Sequence, residues 1–118
     1  MEHHLFDSEL RLMELLWARE PVSAKALTLA AAEALGWNKN TTYTVLKKLV
    51  DKGVVRRDEP NFICTSLVKR PEVQRAETRS LIDKLYHGSR KAFFAAFLED
   101  EALSAEELAE LRDLIDKR

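Results

Sequence analysis

The residues in this 118-residue chain best suited to chemistry lie between Trp37 and Arg57. Lys39, Lys47, Lys48, Lys52, Arg56 and Arg57 stand there against one acid, Asp51, so six bases and one acid leave the segment at +5. Interleaved with them are Asn40, Thr41, Tyr43 and Thr44, which carry amide, hydroxyl and phenol groups. Cations neutralise phosphates, and such polar groups bond to base edges, so the combination suits a nucleic-acid polyanion. A solvated helix face has much the same composition, and charge alone does not separate the two. From Glu99 to Arg118 the balance reverses, with eight acids against three bases. The near-neutral total of 19 Lys+Arg against 20 Asp+Glu is therefore a cancellation, and it is no argument against a polyanionic partner.

Other chemistries find little support. With three glycines in the chain there is no Gly-rich phosphate loop, and no Ser, His and Asp set carries a nucleophile motif, so neither an enzyme nor a cofactor is expected. The single cysteine, Cys64, excludes an intrachain disulfide framework and a Cys-x-x-Cys metal or redox motif. It reads as a small buried hydrophobe on a strand. No run approaches the ~18 apolar residues of a membrane helix, and Met1-Glu2-His3-His4 lacks the basic region and apolar core of a signal peptide. The expectation is a cytoplasmic protein without stable membrane association. With 46% hydrophobic and 33% charged residues, the length fits one ordinary domain or a small domain with an appendage.

The elements that must position the basic segment follow from periodicity and punctuation. A first helix capped by Asp7 or Ser8 runs to about Arg19, with Leu10, Met13, Leu16 and Trp17 on its apolar stripe, and Pro21 ends it. A second helix starts at Val22-Ser23 with Ser23 as cap, buries Ala24, Leu27, Ala31 and Leu35, and stops at Gly36. Its many alanines let neighbouring helices approach closely. A third helix opens near Asn38 to Asn40 and ends at Gly53. Thr42, Val45, Leu46, Leu49 and Val50 face the core, which turns Asn40, Thr41, Tyr43, Thr44, Lys47, Lys48 and Asp51 outward. Val54-Val55-Arg56-Arg57 and Phe62-Ile63-Cys64-Thr65 read as two strands joined by Asp58-Glu59-Pro60-Asn61. Three helices and a hairpin, in that order, form a winged helix-turn-helix, in which the third helix enters the major groove. Many small α+β domains share the order, so it does not decide function by itself.

Beyond Pro71 the pattern is helical again. Val73, Leu81, Ile82 and Leu85 recur before a break at His87-Gly88; Phe93, Phe94, Phe97 and Leu98 follow on a short helix. Ser104-Ala105-Glu106-Glu107 is a capping box for a last helix with Leu108, Leu111 and Ile115 on one stripe. This part is too small to supply its own core yet holds three of five phenylalanines within a turn and a half. Its apolar residues call for a second copy, so Leu81, Ile82, Leu85, Phe93, Phe94, Phe97, Leu108, Leu111 and Ile115 are the expected homodimer interface. Packing back onto the first domain is the alternative. The expected fold class is mainly α with a small β-hairpin: a winged helix DNA-binding domain over 1–69 and a helical dimerisation domain over 70–118.

These residues also carry a resemblance. Asp7-Ser8-Glu9-Leu10 with Met13 and Trp17, then Pro21-Val22-Ser23-Ala24-Lys25, stand in family order. So do Trp37-Asn38-Lys39-Asn40-Thr41-Thr42-Tyr43-Thr44-Val45-Leu46-Lys47-Lys48-Leu49 with Lys52-Gly53, and Leu85-Tyr86-His87-Gly88 with Glu106-Glu107-Leu108 and Leu111-Arg112. Over nearly its whole length the chain resembles the BlaI/MecI penicillinase-repressor family of bacterial transcription regulators, which also includes the CopY repressors. The resemblance implies a dimer that sits on a double-stranded inverted-repeat operator, of the TACA/TGTA type in the better-known members, and blocks transcription. The family reads bases with a Lys-Thr-x-Arg-Thr run and a later Arg. Asn40, Thr41, Tyr43, Thr44 and Lys48 occupy those places, so both threonines match and three positions depart.

Arg is the usual bidentate reader of guanine, whereas Tyr43 offers one hydroxyl and a ring that can meet a thymine methyl, so a different operator is expected. Lys39, Lys47, Lys52, Arg56 and Arg57 are cast as phosphate contacts, with the acidic tip Asp58-Glu59 pointing away from DNA. In the penicillin-responsive members a membrane-bound sensor controls cleavage of an Asn-Phe bond in the dimerisation domain. The corresponding bond is Ala96-Phe97, which keeps the Phe and lacks the Asn. The cysteine cluster of the CopY branch has no counterpart. The runner-up is a winged-helix protein-interaction module without sequence-specific DNA binding, which salt-dependent binding to duplex DNA would exclude.

Overall fold

The computed structural model describes residues 4–100 and 102–118, and His3 of the chain start lies outside them. The chain forms two compact units, the first reaching Glu77 and the second running from Thr78 to Arg118. The first holds α1 (Asp7–Arg19), β1 (Val22–Ser23), α2 (Ala24–Leu35), α3 (Lys39–Asp51), β2 (Val55–Asp58), β3 (Ile63–Ser66) and the opening turns of α4 (Arg70–Tyr86). This is a winged helix: three helices packed on a small antiparallel sheet.

Local signals account for most of these boundaries. The Ser23 hydroxyl accepts the Ala26 N–H at 3.0 Å, and Gly36, at φ 70, ends α2 in the left-handed conformation that glycine adopts without a Cβ clash. The Asn38 side chain accepts the Thr41 N–H at 2.8 Å to open α3. The start of α1 differs from expectation. Its cap is Phe6, which has no side-chain acceptor, and the Glu9 carboxylate instead takes the Phe6 N–H at 2.8 Å.

The core combines Leu12, Met13 and Leu16 of α1, Leu27 of α2, and Leu46 and Leu49 of α3, all fully buried. On α1 the buried stripe is rotated from the expected one. Leu12 and Glu9 are buried, whereas Leu10 and Trp17 are half-buried at its margin. Trp17 is held there because its indole N–H donates to the Val68 carbonyl at 3.0 Å. On α3 the expected face is the buried one, with Thr42, Val45, Leu46 and Leu49 inside and Val50 half-buried.

The hairpin is present but its strands lie one residue later than the apolar pattern placed them, and a third strand joins it. The sheet order is β1-β3-β2, with Val22 opposite Cys64, and Arg57 opposite Cys64 on the other side. Val22-Ser23, expected as the start of a helix, is therefore strand. Phe62, expected in the second strand, is in the turn at φ 51. Glu20, just after α1, accepts from the Ser66 N–H at 2.7 Å and its hydroxyl at 2.8 Å, which ties the far end of β3 to α1. Cys64 is completely buried, and burial pushes its thiol above the ordinary range while the Arg57 guanidinium pulls weakly the other way.

The second unit contains the rest of α4, α5 (Arg90–Asp100) and α6 (Ala105–Asp116). His87 at φ 51 and Gly88 at φ 82 end α4, with the Gly88 N–H donating to Ile82 O at 3.2 Å. Ser104 and Glu107 form the expected capping box on α6. Phe93 is half-buried, its ring edge-on to Tyr86 at 5.6 Å and Phe94 at 5.3 Å. No helix among the described residues is long and apolar enough to cross a membrane.

Candidate nucleic-acid interface

The outer face of α3 carries the residues whose chemistry the sequence singled out. Asn40, Thr41, Thr44, Lys47 and Lys48 are exposed, and Tyr43 is half-buried with its ring against the core margin. Lys39 places its Nζ 5.9 Å from the Tyr43 ring centroid. Thr42, on the opposite face, sends its hydroxyl back to the Asn38 carbonyl at 3.3 Å. The helix is thus fixed from behind, and its front is left polar.

Partners sort the front residues. The side chains of Asn40, Thr41, Thr44 and Lys48, and the Tyr43 hydroxyl, make no hydrogen bond or ion pair among the described residues. Lys47 pairs with Asp51 at 2.9 Å, one turn along, in an exposed contact worth only about 0.3 to 0.5 kcal/mol and easily exchanged for a phosphate. Lys52 is different. Its Nζ lies 2.6 Å from Glu9 Oε1, donates to the His4 carbonyl at 2.9 Å and sits 4.6 Å from the Phe6 ring centroid. Glu9 is 1% exposed, so withdrawing Lys52 would leave a buried carboxylate without its countercharge. Lys52 is therefore an internal partner rather than a free cation for phosphate, a correction to the assignment made from charge alone.

The hairpin is the wing. Arg56 donates to Asp58 at 3.0 Å, and the Arg57 guanidinium lies 5.2 Å from the Phe62 ring centroid. Both arginines are exposed. The sequence reading passed over Lys25, exposed in the first turn of α2, where the first helix of such a motif crosses the DNA backbone. Neither α2 nor α3 has an acid in its first turn, which leaves both positive helix ends unopposed by side-chain charge.

The arrangement and the sequence also match known proteins. The model of the penicillinase repressor family aligns with residues 5–117. The chain belongs to the penicillinase repressor family. The methicillin resistance regulatory protein MecI of Mammaliicoccus sciuri is 26% identical over 118 residues, covering 98% of this chain and 96% of the relative. The penicillinase repressor of Bacillus licheniformis is 23% identical over 113 residues, covering 94% and 88%. Among solved structures, the DNA-binding domain of the repressor BlaI superposes with a TM-score of 0.54 at 20% identity, covering 59% of this chain and 90% of that one. A Bacillus licheniformis BlaI monomer in complex with the blaP half-operator gives 0.53 at 19%, covering 61% and 90%. The two solved structures share the winged-helix fold of the first unit. Like the rest of the penicillinase repressor family, this chain is a DNA-binding transcriptional regulator and not an enzyme.

In the second unit, the expected interface residues of this repressor divide. Leu81, Leu85, Phe94, Phe97, Leu108 and Ile115 are exposed; Phe93 and Leu111 are half-buried. Ile82 is buried within the chain and is not available on its surface. Leu98 and Leu114 add to the exposed set, and Ile115 reaches 69% exposure. The Ala96-Phe97 bond lies inside α5, with Ala96 half-buried and Phe97 exposed.

Proposed function

We propose that this chain is a homodimeric repressor that reads an inverted-repeat DNA operator with α3. The observation that carries the reading is the set of polar side chains on the outer face of α3 that have no partner among the described residues, held by a helix whose other face packs into the core. Polar groups left without internal partners are available to base edges, and short threonines at the start of the helix permit close approach to the groove floor. The half-operator complex of the BlaI relative supports the same use of the fold. Asn40, Thr41, Tyr43, Thr44 and Lys48 are the base-reading residues; Lys39, Lys47, Arg57 and Lys25 are phosphate contacts, joined by Arg56 once it releases Asp58.

Dimerisation through the second unit is supported by its exposed leucines, phenylalanines and isoleucine, which a chain of this kind covers by pairing. Two half-sites bound by one dimer gain orders of magnitude in affinity through effective concentration. Cleavage at Ala96-Phe97 by a membrane-bound sensor protease would detach α6 and dissolve that gain. It is the relief mechanism that the family resemblance favours, and incubation with a cognate sensor that leaves the chain whole would remove it. The repressor's place of work is the cytoplasm, where its operator is.

Selection of bound duplexes from a random pool tests the reading. An inverted repeat with half-sites about one helical turn, or a multiple of it, apart is the expected result. A pool that shows no enrichment, or binding that ignores salt, would return the domain to the protein-interaction class.

A further inference from the structure

We propose that Phe62 and Arg57 form a two-residue clamp on the wing that docks against the sugar–phosphate backbone of duplex DNA, a contact that rests on the DNA-binding reading above. Alternation along β2 separates its two arginines. Arg56 shares a face with Asp58 and is bound to it at 3.0 Å, so that face of the wing is self-neutralised. Arg57 shares a face with buried Val55 and stands opposite buried Cys64, which is the face turned toward the helices. It reaches past the core, and its guanidinium lies 5.2 Å from the centroid of the Phe62 ring.

Phe62 itself is out of place by ordinary rules. A bulky residue at φ 51 occupies a region that L side chains enter only at a cost, and the ring is 44% exposed, so burial does not offset that cost. Asn61, its neighbour, would tolerate the left-handed conformation better. The backbone is pinned by the Phe62 carbonyl, which accepts the Ala24 N–H at 2.9 Å and so ties the wing to the first residue of α2, next to exposed Lys25. Strain that stability does not repay is commonly kept for contact with a ligand.

The chemistry identifies that ligand. A guanidinium laid on an aromatic ring is weakly hydrated and preorganised, and its free edge offers forked donors suited to a phosphate. The exposed part of the ring offers an apolar surface to a deoxyribose. Arg57 and Lys25 give the surface the charge that a polyanion complements, and Arg56 neutralises Asp58 of the same hairpin. Because sugar and phosphate carry no sequence information, the clamp adds affinity without choice.

Phe62→Gly removes the ring and relieves the left-handed strain, so affinity and stability are expected to move in opposite directions. By fluorescence anisotropy, affinity for the selected operator and for random duplex should both fall about tenfold, their ratio unchanged, while the urea midpoint holds or rises. Arg57→Gln, on an exposed side chain, should show the same parallel loss and covers the case in which the glycine variant does not fold. Arg19→Gln, at an exposed arginine of α1 whose guanidinium donates to the Leu15 carbonyl of its own helix, serves as the control and should stay within about twofold of the parent. Wild-type affinity for both DNAs in Phe62→Gly and Arg57→Gln, while Thr44→Ala still lowers the operator-to-random ratio, would overturn the clamp alone. A change in that ratio on Phe62→Gly would also overturn it, as a base-reading role. A parent protein that binds no duplex at any salt would overturn the proposed function first.

Discussion

Lys48 and Lys52 belong to one basic run four residues apart, yet they hold different positions. Lys48 is exposed and has no ion-pair partner among the described residues, whereas Lys52 balances the buried carboxylate of Glu9. Lys52→Met should therefore destabilise the fold by about 3 kcal/mol, measured by urea denaturation, because it leaves a buried charge alone. It should leave the salt slope of DNA binding unchanged. Lys48→Ala should do the reverse, with little effect on the urea midpoint, a shallower salt slope and weaker operator binding. Thr44→Ala is expected to lower the operator-to-random ratio by one or two orders of magnitude at most, since one base contact discriminates by about 1 to 3 kcal/mol. Cys64, with its thiol held above the ordinary range, keeps its proton in the folded state where the unfolded chain loses it. Stability should then be flat below the unfolded thiol value and fall as pH rises past about 8.5. A Cys64→Ala variant should lose that slope; a thiol reagent that labels native protein as fast as unfolded protein would contradict the burial.

At the scale of elements, the helices are written in local signals and the sheet is not. Ser23, Asn38, Gly36 and Gly53 each stop or start a helix through their own side chain or its absence, so α2 and α3 were legible to within a residue. Asn38→Ala should cost about 1 kcal/mol in thermal or urea unfolding for the loss of that cap. Strand β1 is two residues long and exists only because Val22 and Ser23 meet Cys64 and Ile63, some forty residues on. No periodicity can announce a strand so short. The α1 stripe was misread for a related reason. Glu9 looks solvent-facing in any scale of hydrophobicity, and its burial depends on Lys52, a partner 43 residues away. The same long-range contact removed Lys52 from the DNA-facing set, and the Phe62 φ that moved the hairpin by one residue has no composition signal. What the sequence left unreadable was pairing at a distance; the outward face of α3 needed only a helical repeat to be seen.

At the scale of the whole molecule, the proposed dimer relies on the second unit to bring two α3 helices to one operator. Ile115→Glu is a clean probe, because the side chain is 69% exposed and its replacement should leave the fold of the single chain intact. Sedimentation should show a monomer, and operator affinity should fall at least a hundredfold through lost avidity. A variant that remains dimeric would place the interface elsewhere. For the proposed dimer, Lys39, Arg57 and Lys25, the named phosphate contacts with no acidic partner among the described residues, give about three phosphates neutralised per protomer and a slope near −5 for log affinity against log salt. That count is modest for a reason already visible on the surface. Of the six bases between Trp37 and Arg57, three are occupied: Lys47 by Asp51, Lys52 by Glu9 and Arg56 by Asp58. These carboxylates act as tethered stand-ins for phosphate that compete with every stretch of DNA alike. In the proposed dimer their consequence is kinetic: visits to non-cognate sequence are shortened.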